Sequence, residues 1–264
     1  MTSRRLRNIT YLLLGLFLAL GAGCRVNTPP PHTVSQVSTI NALLAGIYDG
    51  DKDLKYLKRH GDFGIGTFDS LDGEMVFWQG EFYQVKADGK VYRPAITTGT
   101  PFAAVAWFKP DRSLVLKAGT GYSAVVKQLD RYCPNKNLFY AVALEGNFSY
   151  MKTRSVPKQH KPYPPLVKVT ASQPVFEMKN VEGVVIGFRC PAYVKGINVP
   201  GWHLHFLSKD RTSGGHVLDF KVEKTSASID EMFRFYMTLP HDSAGFRQVD
   251  LGKDRSAELH AAEK

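Results

Sequence analysis

The sequence predicts a mixed α/β fold of the α+β type: two β-rich, related halves with a few helices and a metal site between them. Short runs of β-branched and aromatic residues alternate with tight-turn dipeptides over residues 62–108, the pattern of an antiparallel sheet. A second set of such runs begins near residue 147 and carries three closely spaced histidines. Helical periodicity is confined to short segments, so we expect strands to dominate both halves.

Residues 1–23 are expected to be a signal peptide. The basic cluster Arg4-Arg5-Leu6-Arg7 precedes the apolar run Leu12–Leu20, and small residues lead to Cys24. This is the order of an export signal, and the apolar run is shorter than the ~20 residues of a transmembrane helix. Cys24 resembles the acylated cysteine of a bacterial lipoprotein, although Gly21 stands where an aliphatic residue is usual. We expect an exported, periplasmic or cell-surface protein with a lipid anchor; a soluble secreted form is the alternative.

Three further segments follow from composition. Residues 24–37 contain Pro29-Pro30-Pro31 and polar residues, which predicts a disordered or polyproline tether. We place the N-terminal β-rich half at residues 38–146 and the C-terminal half, with the histidines, at residues 147–264. The sequence leaves open whether Cys133 and Cys190 form a disulfide in an oxidising compartment.

Local patterns predict the individual elements. A first helix is expected after Ser38, a weaker one at residues 120–131, and a last one after Ser226 or Ser228 that runs through Tyr236. Turns are expected at Asp72-Gly73, Gln79-Gly80 and Asp88-Gly89. The predicted strands are residues 63–68, 75–78, 81–85, 90–92, 102–108, 138–144, 183–189, 201–207 and 216–222.

The histidines His203, His205 and His216 form the most informative pattern in the chain. Residues two apart on a strand share a face, so His203 and His205 should point the same way. A polar loop ending in Gly214-Gly215 should return the chain and bring His216 beside them. Three neutral imidazoles with an open fourth position are typical of a catalytic zinc site; Mn, Fe, Ni and Cu are alternatives. Too few cysteines are present to close a structural thiolate site.

The charge excludes one class of partner. The formal net charge is +10, but Arg4, Arg5 and Arg7 lie in the expected signal peptide, and the remaining Lys and Arg are scattered. No RNA-recognition signature, zinc finger or basic helical stripe is present in the sequence. The balance favours a small anionic ligand over nucleic acid.

Several motifs make a family resemblance specific. They are Gly61–Phe68, Leu71–Met75, Thr97–Phe102, Lys152–Val156, Pro162-Tyr163 and the block from Gly187 through the histidines to Asp219. With these motifs the chain resembles the alpha-acetolactate decarboxylases over roughly residues 38–240. The resemblance implies a two-part fold with zinc between the parts. It also implies conversion of 2-acetolactate, a small anionic 2-hydroxy-3-keto acid, to acetoin and carbon dioxide.

The resemblance also assigns roles to residues. It implies zinc ligands at His203, His205 and His216, catalytic groups at Glu74, Arg154 and Glu263, and substrate contacts at Thr67 and Arg154. For the C-terminal glutamate, Glu258 is the alternative to Glu263. Zinc as a Lewis acid would stabilise the enediolate, the arginine would bind the carboxylate, and a glutamate would move a proton.

Two other functions stay open at this stage. One is a different exported enzyme, such as a cupin-like hydrolase or dioxygenase, that uses the same three histidines. The other is a lipid-tethered metal- or ligand-binding protein whose active site has decayed, although retention of Glu74 and Arg154 argues against decay. The oligomeric state is also open, with a homodimer as one option.

Overall fold

The structure is a computed structural model that describes residues 28–263. The expected signal peptide and Cys24 lie outside these residues. The strands are β1 (Thr33–Val37), β2 (Lys52–Asp53), β3 (Phe63–Thr67), β4 (Glu74–Trp78), β5 (Glu81–Val85), β6 (Val91–Tyr92), β7 (Gly99–Thr100), β8 (Ala103–Ala106), β9 (Arg112–Leu116), β10 (Phe139–Arg154), β11 (Val175–Cys190), β12 (Gly201–Ser208), β13 (Gly214–Met232) and β14 (Arg234–Thr238). The helices are α1 (Ile40–Leu44), α2 (Leu54–Lys58), α3 (Tyr122–Tyr132), α4 (Leu166–Thr170), α5 (Ala244–Gln248) and α6 (Ser256–Glu263). Among the described residues, no helix is both long enough and apolar enough to span a bilayer.

The first sheet has seven strands in the order β14-β1-β8-β3-β4-β5-β6. Its strands pair antiparallel except β1 and β14, which are parallel. The predicted turn glycines Gly73, Gly80 and Gly89 all have positive φ, between 77° and 91°, which glycine adopts at little cost. These turns set the register that places Glu74 opposite Thr67.

The second sheet has five strands, of which β10, β11 and β13 are long. β10, β11, β12 and β13 pair in sequence, and β10 also pairs with β13, so the four strands close into a ring. β9 adds to the outer side of β13. A closed ring leaves few unpaired strand edges, which suits a core that must hold a fixed geometry.

Four hydrophobic clusters hold these layers together. One lies between the two sheets and joins Phe63 and Ile65 to Ile186 and Phe188. A second fills the ring and packs against α3, and a third packs α2 on the opposite face of the first sheet. The fourth gathers α1, α4 and α6 around Phe102. The two sheets therefore share a core, and the fourth cluster lies where α6 reaches them.

The expected tether is wrong for its last five residues. Thr33–Val37 forms the buried strand β1, between β14 and β8. The polar residues of this segment do not indicate a buried strand in the sequence, because their hydrogen-bond partners come from distant parts of the chain. Gln36 donates to the carbonyl of Ile197 at 2.8 Å and accepts from Asn198 at 2.6 Å.

The predicted last helix is also wrong. The residues through Tyr236 belong to the end of β13 and to β14. The helical spacing of Ile229, Met232 and Tyr236 was coincidental, because the strand ladders with β10 and β1 provide the backbone partners here. The weak helix at residues 120–131 is confirmed as α3.

The boundary predicted between the halves also differs from the structure. Residues 146 and 147 lie inside the continuous strand β10. β9 from the earlier part of the chain joins the second sheet, and β14 from the later part joins the first. The first helix begins after Thr39, whose side chain caps it, because Ser38 has a φ of 63°.

Cys133 and Cys190 are both free and buried. Burial raises the pKa of each thiol to about 12. At neutral pH both thiols are therefore protonated and poor nucleophiles.

Candidate active site

The histidines lie on adjacent strands in a fixed register. His205 on β12 pairs directly with His216 on β13, and His203 is two residues earlier on the same face. This register requires glycine at position 215. Its φ is +129°, and a Cβ there would collide with the carbonyl oxygen of Arg154. The predicted hairpin and the predicted common face are confirmed. The alternate residues Trp202, Leu204 and Phe206 pack in the core of the ring.

The three rings converge on one point. Their centroids are 5.0 to 5.4 Å apart, and one nitrogen from each ring lies within 4.8 Å of the others. Nε2 of His203 is 3.2 Å from Nδ1 of His216, close to the separation of two nitrogens that share a tetrahedral zinc ion with bonds of about 2.0–2.1 Å. All three side chains are buried.

The protonation of the rings suits a metal. Nδ1 of His205 is 2.8 Å from the carbonyl oxygen of Met75, which can only accept, so the proton lies on Nδ1. Nε2 of His205 is then a buried acceptor, and it has no hydrogen-bond partner among the described residues. Burial, with the nearby Arg154 charge, lowers the pKa of His203 to about 3 and those of His205 and His216 well below the usual value. Three neutral imidazoles with a free lone pair at their centre fit a metal ion.

Two carboxyl groups reach the histidines from opposite parts of the chain. Glu74, at the start of β4 in the first sheet, lies 3.5 Å from Nε2 of His205. Glu263, at the end of α6, lies 3.6 Å from Nε2 of His203 and 3.8 Å from Nε2 of His216. Burial raises the pKa of both; that of Glu74 reaches about 7 despite the opposing charge of Arg154, with Glu263 adding to the rise.

Of the two C-terminal candidates, Glu263 is the one at the histidines. Glu258 points away and pairs with Arg255 at 2.7 Å and with Lys253 at 3.7 Å. The two glutamates are five residues apart on a helix, so they cannot share a face.

Arg154 ends β10 opposite His216 and is almost fully buried. Its Nη1 donates to Oε1 of Gln173 and its Nη2 to the carbonyl of Ala262, both at 2.6 Å. The Nε proton has no partner among the described residues, so the guanidinium keeps an unsatisfied buried donor. A carboxylate is the group that a guanidinium fork binds best.

A cavity of about 30 Å³ lies between these groups. Its wall includes Thr67, Glu74, Arg154, His203, His216 and Glu263, together with apolar side chains from α1, α4 and Phe102. The Thr67 hydroxyl donates to the carbonyl of Gly73 at 2.7 Å, so it stabilises the turn before Glu74 as well as lining the cavity. A cavity of this size holds one or two waters, so a larger molecule requires the wall to move.

Sequence reasoning missed three members of this site. They are the Met75 carbonyl, which orients His205, and the Gln173 and Ala262 groups that hold Arg154. Two of the three act through a backbone carbonyl, for which side-chain identity is no guide. Gln173 lies in a short connection between α4 and β11, where a polar residue is unremarkable by itself.

Over most of its length the chain is similar to proteins of one known family. The family model for alpha-acetolactate decarboxylase matches residues 34–253. A protein of that description from Methanosarcina mazei is 50% identical over 229 residues, covering 87% of this chain and 79% of the relative. One from Methylococcus capsulatus is 45% identical over 232 residues, covering 88% of this chain and 89% of the relative.

Solved structures agree with the sequence comparison. The crystal structure of alpha-acetolactate decarboxylase from Bacillus subtilis strain 168 superposes with a TM-score of 0.85 at 38% identity. The match covers 88% of this chain and 99% of that one. The α+β architecture described above is therefore also the architecture of that protein.

Proposed function

This chain belongs to the alpha-acetolactate decarboxylase family and is an enzyme of the lyase class, and we propose that it converts 2-acetolactate to acetoin and carbon dioxide at a zinc ion held by His203, His205 and His216. The observation that carries the proposal is the convergence of three buried, neutral imidazoles beside one arginine and two carboxyl groups. Each of these groups has a task in this reaction.

Zinc fits the donor set and the chemistry. The three donors are all imidazole nitrogens, a set that zinc accepts with an open position for a further ligand. When bound, zinc supplies a Lewis acid that stabilises negative charge on oxygen. The tautomer of His205, set by the Met75 carbonyl, keeps its Nε2 lone pair available for that ion.

Arg154 is assigned to the substrate carboxylate. Among the described residues it is the one buried cation of the cavity wall, and its Nε proton has no hydrogen-bond partner among them. When the bond between the carboxylate carbon and its neighbour breaks, carbon dioxide leaves uncharged and the electron pair stays on the remaining carbon skeleton. The contact with Arg154 is therefore strongest before the bond breaks, and it orients the leaving group.

A carboxyl group must then deliver a proton to that carbon. Glu74 and Glu263 are both within 4 Å of the histidines and both line the cavity. Proton transfer needs a donor within hydrogen-bond reach of the reacting atom, and these are the two acids placed to provide it. Thr67, beside Glu74, completes the wall on the first-sheet side.

Metal analysis and an acetoin assay on the same purified sample test the proposal. We expect about one zinc per chain and acetoin formation from 2-acetolactate that is lost on chelation and restored by zinc. Arg154→Ala and Glu74→Gln should each lower turnover by about 10²-fold or more while zinc content stays near parental. Near-parental activity in both variants would contradict the assigned roles, and activity without any metal would contradict the zinc centre.

We further propose that the enzyme is exported and lipid-anchored through Cys24. The basic cluster, short apolar run and small residues before Cys24 support this. Fractionation should find the mature chain in the membrane fraction, and Cys24→Ala should release it to the soluble exported fraction. Protein found in the cytoplasm with Met1 intact would refute export, and a membrane-bound Cys24→Ala variant would refute the anchor.

A further inference from the structure

Arg154 is held by two contacts of different kinds. Gln173 belongs to the connection between α4 and β11, whereas Ala262 lies in the last turn of α6. The strand ladder continues to the residue after Gln173: Arg154 pairs with Val175, and the Ser155 amide donates to the Pro174 carbonyl at 3.2 Å. The Gln173 amide itself donates to the carbonyl of Thr170 at 3.3 Å. Gln173 is thus joined to the second sheet through Pro174 and Val175, and to the end of α4 through its own amide.

The Gln173 side chain has no other task in the part of the chain that the structure describes. Within residues 28–263, its only side-chain hydrogen bond is the one that Oε1 accepts from Nη1 of Arg154. The distance of 2.6 Å between Nη1 and Oε1 is short, as expected where the hydrogen-bond donor carries a charge. An amide oxygen satisfies one guanidinium donor without neutralising its charge, which leaves that charge available to an anion.

We propose that Gln173 is a positioning residue, which holds the Arg154 guanidinium in the orientation that receives the substrate carboxylate. The inference rests on the proposed function, because it takes Arg154 as the carboxylate-binding group. A cavity of about 30 Å³ must open for the substrate, and the Ala262 contact lies on the helix that closes it. Gln173 lies two residues before β11, so its contact with Arg154 does not depend on the position of α6. It keeps one edge of the guanidinium in place while the other edge exchanges partners.

Two substitutions at this position separate positioning from simple structural support. Gln173→Ala removes the acceptor and should raise KM for 2-acetolactate by about tenfold, with kcat changed by less than about threefold. Gln173→Glu keeps an acceptor but places a second carboxylate on Arg154. It should raise KM by about 10²-fold, since the new carboxylate competes with the substrate for the same charge. A residue with only a structural role would change the thermal midpoint in Gln173→Ala and leave KM near parental.

Gln159→Ala is the matched control. Gln159 is a half-buried glutamine five residues after Arg154, and its side chain donates to the carbonyl of Pro157 at 2.8 Å. This variant should keep the parental KM and kcat. Zinc content and thermal midpoint are measured for all variants. If Gln173→Ala fails to fold, Gln173→Leu, which also lacks the acceptor but keeps most of the side-chain volume, decides.

The outcomes distinguish this inference from the function it rests on. A KM within twofold of parental in Gln173→Ala overturns the positioning role, even where Arg154→Ala is severely impaired. A parental KM in Arg154→Ala overturns the carboxylate-binding role of Arg154 itself. A fall in kcat and zinc content without a rise in KM also contradicts the proposal, because it would place Gln173 in support of the histidines.

Discussion

The site has a strand-borne side and a tail-borne side, and the two are held very differently. His203, His205 and His216 lie on paired strands of a closed ring, with buried neighbours on both faces. Glu263 lies at the end of α6, a helix whose one buried residue is Ala262. The same small cavity is therefore bounded on one side by paired strands with many buried contacts, and on the other by a helix with few buried contacts.

The difference follows from how each side obtains its hydrogen bonds. The strand side uses backbone ladders on both flanks, which cannot shift without breaking many bonds together. The segment before α6 is held by single contacts, such as Asn41 donating to the carbonyls of Leu251 and Lys253 at 3.3 and 3.4 Å, and Lys195 pairing with Asp254 at 3.0 Å. Segments with few buried contacts open at low free-energy cost. Under the proposed function, metal binding belongs to the rigid strand side, and we expect the substrate to enter from the tail side.

The largest effect is expected from the strand side. His205→Ala removes both a proposed ligand and the hydrogen bond to Met75, so zinc content should fall and acetoin formation should drop by about 10³-fold or more. His260→Ala, on the exposed face of α6, is the control and should be parental. Metal analysis after gel filtration checks the first result. A His205→Ala variant that keeps its zinc content and turnover would contradict metal binding by the strand side.

On the tail side, loss of the Glu263 carboxylate should lower turnover and leave the zinc content unchanged. Glu263→Gln should lower acetoin formation by about 10²-fold with zinc content unchanged, since the histidines stay in place. Glu258→Gln, five residues earlier, should stay within about twofold of parental because Glu258 pairs with Arg255 away from the cavity. Equal effects in the two variants would show that α6 acts as a whole and not through Glu263.

Substitutions on the strand side should lower the free energy of unfolding more than substitutions on the tail side. Gly215→Ala forces a side chain into a positive φ and against the Arg154 carbonyl, so it should lower the free energy of unfolding by about 2–3 kcal/mol. Gly252→Ala, in the segment before α6, has no positive φ and meets only the Asp250 carboxylate, at 3.3 Å. Its effect should stay within about 0.5 kcal/mol. Urea denaturation of both variants measures the difference, and a reversed order would contradict the rigid strand side.

The smallest expected effect is the low reactivity of the two buried thiols towards a thiol reagent. In a Cys24→Ser background only Cys133 and Cys190 remain, and burial holds the pKa of each near 12. A thiol reagent at pH 8 should modify less than about 0.1 thiol per native chain in an hour, and both thiols after denaturation. Rapid native labelling would show that the strand side opens more readily than proposed here.

Local patterns predicted much of the first sheet. The strands from Phe63 to Tyr92 and their glycine turns follow from alternation and turn chemistry, which involve residues close in sequence. The H-x-H spacing predicted a common face for His203 and His205, because the side-chain period of a strand is two. The Gly214-Gly215 return predicted the approach of His216, which the register of β12 and β13 confirms.

Only the tertiary structure decided the rest. β1 and β14 pair in parallel although about 200 residues separate them, so nothing near either strand indicates the other. The arrival of Glu74 and Glu263 at the same histidines depends on packing between the sheets and on the course of the tail. The same is true of Gln173, whose contact with Arg154 requires the ladder between β10 and β11. By itself the sequence determined the strands, the turns and the family resemblance, whereas non-local pairing decided which polar groups share the cavity, because such contacts form only when distant segments are buried together.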